Sequence, residues 1–192
     1  MSRGPDADPV VVVVDMQDVF GDPASPWATP GFDELIGPIE ELVAAGGRTV
    51  FTRFVLPDRI EGSWAPYYDT WDEVTQPDRA AWFELAEPWR SRGVPTLDVP
   101  RFSKWPELAS TAGPDGALLV CGVATDCCVI ATALAAADAG RFVRVVADAC
   151  RGVDAAAHDR AIALMAGFTP HIEITSVDQE LANLRRDAGR SA

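Results

Sequence analysis

Five consecutive valines, Val10 to Val14, run directly into Asp15. Side chains branched at Cβ are stiff at χ1 and fit a pleated strand better than a helix. A run that is apolar at every position has no polar face to turn to water. It predicts a strand covered on both sides, as in a parallel sheet with helices above and below. Short apolar runs recur from Arg48 to Phe54, Val94 to Val99, Ala117 to Val123, Phe142 to Ala147 and Ile172 to Thr175. Between several of them the pattern predicts helices, over Phe32 to Ala45, Thr125 to Ala139 and Ala155 to Ala166. Gly46-Gly47, Gly140 and Gly167 stand where those helices should stop. This alternation argues for an α/β domain with a mostly parallel sheet. The stretch from Leu56 to Arg92 breaks the rhythm; rich in Pro and Trp, it reads as a long excursion over one edge of the sheet.

The 192 residues fit a single domain spanning 1–192, with ends expected to fray before about residue 8 and after about residue 186. A net charge of −13 argues against a nucleic-acid or anionic-membrane surface, which would repel the chain. No apolar run approaches the roughly 20 residues of a membrane helix, and no signal-peptide layout precedes Asp15, so a cytoplasmic protein is expected. Four cysteines, Cys121, Cys127, Cys128 and Cys150, then read as thiols rather than a disulfide framework. The two histidines, His158 and His171, come late, read as structural or surface residues, and leave few ways to build a His-based metal site.

In doubly wound sheets, ligands bind beyond the carboxyl ends of the strands, where the strand order reverses. Polar residues placed directly after a buried strand are the ones that face such a crevice. Two places qualify: Asp15-Met16-Gln17 after the first strand and Ala124 to Cys128 after the fourth. With a strand order of 3-2-1-4-5-6 they would be neighbours.

Cys128 falls at the start of a helix, where the helix dipole favours thiolate. Cys127 is adjacent, and periodicity does not say which of the two thiols faces the crevice. Cys121, within a strand, and Cys150, after one, read as small buried hydrophobes. Asp15 must reach solvent, cap a turn, or be buried with a partner; beside a nucleophile it would serve as general acid or base. Lys104, the only lysine in the chain, would supply a compact positive charge to a thiolate or an oxyanion. The segment from Gly62 to Trp71 holds both tyrosines and two of the six tryptophans, as packing, a subunit interface, or a substrate wall. Arg53 is placed to hold a substrate carboxylate or to pair with an acidic side chain.

Val14-Asp15-Met16-Gln17, Phe102-Ser103-Lys104, Gly122-Val123-Ala124-Thr125-Asp126-Cys127-Cys128-Val129-Ile130-Ala131-Thr132 and Val146-Ala147-Asp148-Ala149 together resemble the isochorismatase-like cysteine hydrolase superfamily. That superfamily includes nicotinamidases, N-carbamoyl amidohydrolases and isochorismatases. The resemblance implies a three-layer α-β-α fold with a six-stranded sheet in the order 3-2-1-4-5-6. It implies a triad of Asp15, Lys104 and Cys128, since the family's nucleophile directly precedes the valine. It also implies a cis peptide between Val123 and Ala124, and an oxyanion hole built from the backbone N–H groups of Ala124 and Cys128. Gln17, Phe20, Arg53, Trp64, Tyr68 and Thr125 are candidate substrate contacts.

Nicotinamidases carry an Asp-x-His motif and a further His that bind a metal. The matching stretch here, Thr52 to Pro57, has neither carboxylate nor histidine, so no metal and no cofactor are expected. The reading is a metal-independent hydrolase cleaving a C–N bond (amide, ureido or carbamoyl) of a small molecule through a thioester on Cys128. A vinyl-ether hydrolase using Asp15 as acid, as in isochorismatases that lack the cysteine, is the alternative. A silent binding protein of the same fold is the third, separated by the lack of a fast-reacting acidic cysteine. By the same resemblance the expected assembly is a homodimer or larger homo-oligomer, with neither nucleic acid nor membrane as partner.

Overall fold

The computed structural model describes residues 8–105 and 107–190, with 187–190 described through their backbone alone. Six parallel strands form one sheet: β1 (Val10–Val14), β2 (Arg48–Phe54), β3 (Thr96–Val99), β4 (Leu118–Val123), β5 (Val143–Arg151) and β6 (Ile172–Thr175). Their order is β3-β2-β1-β4-β5-β6. The chain thus steps outward from β1 to β3, returns to the middle at β4, and steps outward the other way. The reversal lies between β1 and β4, whose registers pair Val10 with Leu118 and Val14 with Gly122.

All five residues of β1 and all six of β4 are buried, which is what an unbroken apolar run requires of a central strand. The sheet steps in opposite directions from its centre. Right-handed crossovers therefore put α2 (Ile36–Ala45) on one face and α5 (Ile130–Asp138) and α6 (Ala155–Ala166) on the other. A last helix, α7 (Val177–Arg190), packs against α2. Three shorter helices, α1 (Asp18–Gly21), α3 (Trp64–Thr70) and α4 (Glu107–Ala112), lie in the connections at and around the crevice. Among the described residues, no helix is long and apolar enough to cross a membrane.

Several boundaries differ from the sequence reading for identifiable reasons. The segment expected as one helix from Phe32 begins as a 3-10 turn, Phe32–Leu35, and becomes α-helical at Ile36. Pro38 sits in the first helical turn of α2, where its missing N–H has no intrahelical partner to lose. The segment expected as a helix from Thr125 opens with a π-helical turn, Thr125–Val129, a distortion found mostly at functional sites. β5 continues past Ala147 to Arg151 by means of a register shift against β4 between Val120 and Gly122. There Asp148 turns outward, and its Oδ1 accepts the N–H of Val177 at 2.9 Å, capping α7. The end expected to fray after 186 is helical in its backbone to Arg190, while the end before residue 8 lies outside the described residues.

The excursion from Leu56 to Arg92 is tied to the mouth of the sheet rather than draped over its edge. Ala86 donates to the Met16 carbonyl at 2.9 Å, and Asp18 donates to the Glu84 carbonyl at 3.1 Å. Trp89, 1% exposed, anchors its end against Phe51.

Candidate active site

The polar centre of the molecule lies just past the C-terminal end of β1. Asp15 has a backbone φ of 50°, a left-handed conformation that aspartate tolerates better than most residues. Its N–H donates to the Thr52 hydroxyl at 3.2 Å, and that hydroxyl donates back to Asp15 Oδ1 at 2.6 Å. Asp15 Oδ2 meets Lys104 Nζ at 2.8 Å, and both side chains are 0% exposed. Lys104 reaches this point from the loop between β3 and α4. Its N–H is held by the Thr132 hydroxyl of α5 at 3.0 Å, and Nζ also donates to the Arg101 carbonyl at 3.1 Å. Nζ lies 5.0 Å from the centre of the Phe54 ring. The ion pair is thus fully desolvated, and deleting either partner would leave a buried unpaired charge.

Cys128 is brought to the same place by the π turn after β4. The Val123–Ala124 peptide is cis. The Ala124 carbonyl accepts from both Cys127 at 3.0 Å and Val129 at 3.1 Å, which fixes the start of the turn. Close approach of β4 to β1 is what brings the two strand ends together. Gly122 has φ of 110°, and a Cβ there would lie 2.1 Å from the Val14 carbonyl oxygen, so no other residue fits. Asp15, Lys104 and Cys128 therefore meet at the switch point.

The sequence reading of Cys128 as a thiolate stabilised by the helix dipole does not describe the resting site. Burial, and then the Asp15 charge, raise the thiol pKa well above its usual value; Lys104 opposes this only in part. The proximity of the Asp15 carboxylate thus favours the protonated thiol. These causes favour a neutral thiol at rest, close to the Asp15 carboxylate. Fast labelling by a thiol reagent consequently does not separate an active site from a silent one. The other cysteines are also free, and their pKa values are raised as well, chiefly by burial.

Above Cys128 opens a cavity of about 400 Å³. Besides the turn that carries Cys128, its wall comes from five parts of the chain: Phe20 and Pro26 to Ala28 after β1, Phe54 at the end of β2, Tyr67 and Trp71 at α3, Phe102 near Lys104, and Val153 after β5. Trp27 is the hub, T-shaped against Phe54 at 5.5 Å and stacked on Phe20 at 6.0 Å. Cys127 and Cys128 both face this space, with Ala124 between the turn and the wall. A larger depression of about 730 Å³ lies along β6 and α7, remote from the thiol.

Of the candidate substrate contacts, Phe20 lines the cavity and the others do not. Gln17 is fully buried; its amide donates to the carbonyls of Phe54 at 2.9 Å and Phe83 at 2.6 Å and accepts from Phe54 N–H at 2.8 Å. It clamps the framework, with both of its amide N–H donors engaged and its side chain away from the cavity. Arg53 is held by Asp98 at 2.7 Å and Glu84 at 3.0 Å, so it pairs with acidic side chains rather than waiting for a carboxylate. Trp64 stands behind the wall, packing at 5.0 Å on Phe102 and 5.3 Å on Tyr67, and Tyr68 is buried behind Trp64. Thr125 turns away from the cavity, its hydroxyl 2.9 Å from His158 Nδ1.

Sequence reasoning missed Trp27, Phe102, and the supports Thr52 and Thr132, and placed Tyr67 and Trp71 only within a segment read as packing, an interface or a wall. The spacing of Trp64, Tyr67 and Trp71 was the available signal, since i, i+3 and i+7 share one helical face. Among the described residues no group of three or more His, Cys, Asp or Glu side chains is placed to hold a metal ion. At the end of β2 the Arg53 cluster stands instead.

A doubly wound parallel sheet with a small, mostly apolar cavity and convergent polar groups at its switch point is the architecture of a small-molecule enzyme. The chain belongs to the isochorismatase family of hydrolases: the isochorismatase domain matches residues 9–179. No curated protein sequence gave a significant match. Among solved structures, the fold is similar to a cysteine hydrolase from Pseudomonas syringae pv. phaseolicola 1448A, at 20% identity and a TM-score of 0.78, covering 97% of this chain and 98% of that one. It is similar to the nicotinamidase of Bacillus subtilis at 15% identity and a TM-score of 0.68, covering 88% and 99% of the two chains. A ribonuclease from Caenorhabditis elegans shares the fold at 18% identity and a TM-score of 0.69, with 96% and 84% covered.

Proposed function

We propose that the protein hydrolyses a C–N bond of a small molecule, using Cys128 as nucleophile, Asp15 as proton carrier and Lys104 as counter-charge. The reading rests on one observation: a buried thiol lies beside the carboxylate that pairs with the chain's only lysine, at the floor of a mostly apolar cavity. As Sγ attacks the substrate carbonyl carbon, its proton passes to Asp15. Negative charge then moves from the carboxylate towards sulfur and the carbonyl oxygen, and Lys104 remains beside it. The N–H groups of Ala124 and Cys128 would hold the oxyanion. Collapse breaks the C–N bond, the nitrogen leaves with the proton from Asp15, and a thioester stays on Cys128. Water, deprotonated by Asp15, releases the acid and restores the thiol.

A neutral thiol does not weaken this reading, because the proton needs to leave only once substrate is in place. Vinyl-ether hydrolysis by Asp15 alone gives the thiol no task, although Cys128 lies in the cavity wall. Intact mass measurement against amides, ureides and carbamoyl compounds is the test. An acyl adduct on wild-type protein that disappears in Cys128→Ala is the expected result. Full turnover by Cys128→Ala would overturn the mechanism and favour the aspartate route. The free thiols suit a reducing compartment such as the cytoplasm, and a homodimer or larger assembly remains our proposal for its state.

A further inference from the structure

We infer that this site selects an uncharged substrate with a flat, apolar acyl group, and excludes analogues that carry a carboxylate. The inference deepens the hydrolase reading above and rests on it. Among the described residues that line the cavity, none carries a charge. The polar side-chain groups at the wall are the thiols of Cys127 and Cys128, the Tyr67 hydroxyl and the indole N–H groups of Trp27 and Trp71. Burial holds the Tyr67 hydroxyl far above its usual pKa, so it stays neutral. The rest is aromatic or aliphatic.

The two cations that the sequence placed at the crevice, Lys104 and Arg53, are already matched. Lys104 is engaged by Asp15 at 2.8 Å. Arg53, the residue best placed in sequence to bind an acid, is engaged by Asp98 and Glu84 at 2.7 and 3.0 Å. A substrate carboxylate entering this space would lose its hydration and find no counter-ion, which disfavours it strongly. The net charge of −13 adds a repulsive field to that local deficit. A ring meets the opposite conditions, since Phe20, Trp27, Phe54, Tyr67, Trp71 and Phe102 offer faces and edges for offset or T-shaped contacts. The volume of about 400 Å³ lies near the lower end of the ligand-site range of about 300–1,000 Å³, room for one ring and its substituents.

The test is a pair of primary amides of nearly equal shape, 4-methylbenzamide and 4-carbamoylbenzoate. Ammonia release is followed with the wild-type protein. Binding is followed with Cys128→Ala by quenching of tryptophan fluorescence, since Trp27 and Trp71 line the cavity. The methyl compound is expected to be preferred by about 100-fold or more, in kcat/KM and in Kd. If neither amide is hydrolysed but Cys128→Ala still binds the methyl compound with that preference, charge selection stands and the hydrolase reading fails for these amides. If the carboxylate binds within about threefold of the methyl compound, or if neither binds, the selection inference is overturned. Trp71→Arg, which sets a cation in the wall, should narrow the preference by about tenfold or more, and an unchanged preference counts against the inference.

Discussion

The floor and the wall of the crevice are built on different principles. The floor is polar, fully buried and over-determined: Asp15, Thr52, Lys104 and Thr132 each hold or are held by another member through contacts of 2.6–3.2 Å. Its members stand at or just beyond strand ends, or on a helix that packs on the sheet, so their positions follow from the strand register. The wall is apolar and contributed by loops and short helices, and its rings touch at centroid distances of 5.5–6.3 Å without directional bonds. Such contacts tolerate replacement by rings of similar size, whereas removing one partner from the floor strands a charge. The floor is therefore suited to conserving a reaction, and the wall to adjusting what reacts.

Substitutions on the two sides should differ in kind as well as size. Cys128→Ala should lower turnover by at least about 10³-fold while leaving folding and ligand binding intact, as measured by steady-state kinetics and thermal melting. Lys104→Met should act on both activity and folding. It leaves the Asp15 carboxylate buried without its cation and should cost about 3–5 kcal/mol in urea denaturation. A loss below about 1 kcal/mol would show that the pair is not desolvated as described. On the wall, Trp71→Ala should raise KM by about tenfold with kcat nearly unchanged, the pattern of lost uniform binding. An equal fall in kcat would place Trp71 in the chemistry.

pH separates the buried frame from both. Cys150 is fully buried and its thiol is pushed up to about 12. A raised thiol pKa means the folded state retains a proton that the unfolded chain gives up. The associated stability is complete below about pH 9 and is lost as pH rises towards 12, by about 1.4 kcal/mol per pH unit at most. Urea midpoints at pH 8 and pH 10 should show the loss, and Cys150→Ala should reduce the slope by one thiol's share, the other raised thiols keeping theirs. The smallest effect belongs to Arg53→Ala, about 1 kcal/mol or less, because this ion-pair cluster is partly open to solvent. A large drop in activity there would restore Arg53 as a substrate ligand.

The strands were legible because burial on both faces writes itself into composition. Val10–Val14 and Leu118–Val123 admit no polar side, and each begins and ends within one residue of its apolar run. The floor was legible for a related reason, since Asp15 and Cys128 interrupt that apolarity at the ends of neighbouring strands. Lys104 stood out by being single. The wall was not legible, because its members are common core residues drawn from distant segments, and nothing local marks Trp27 or Phe102 as neighbours. Gln17 and Arg53 misled in the same way. Their positions faced the crevice in sequence, but partners on β2, β3 and the excursion hold their side chains there. α7 escaped notice because Leu181 and Leu184 are the only apolar side chains buried in it among the described residues, too sparse a stripe to read against its polar residues.

Gln17 has one more consequence, for the route by which molecules enter and leave. Its single amide ties the exit of β1 to the end of β2 and to Phe83 of the excursion. Next to it, Gln17 and Leu85 form an antiparallel bridge. Swinging the excursion outward as a flap would break those bonds together inside a dry interior. Traffic through the crevice should instead use rotation of side chains at the free end of the excursion, around Tyr67 and Trp71. Hydrogen exchange would then find the Phe54 amide as slow to open as the sheet itself, with the doorway moving while its frame stands still.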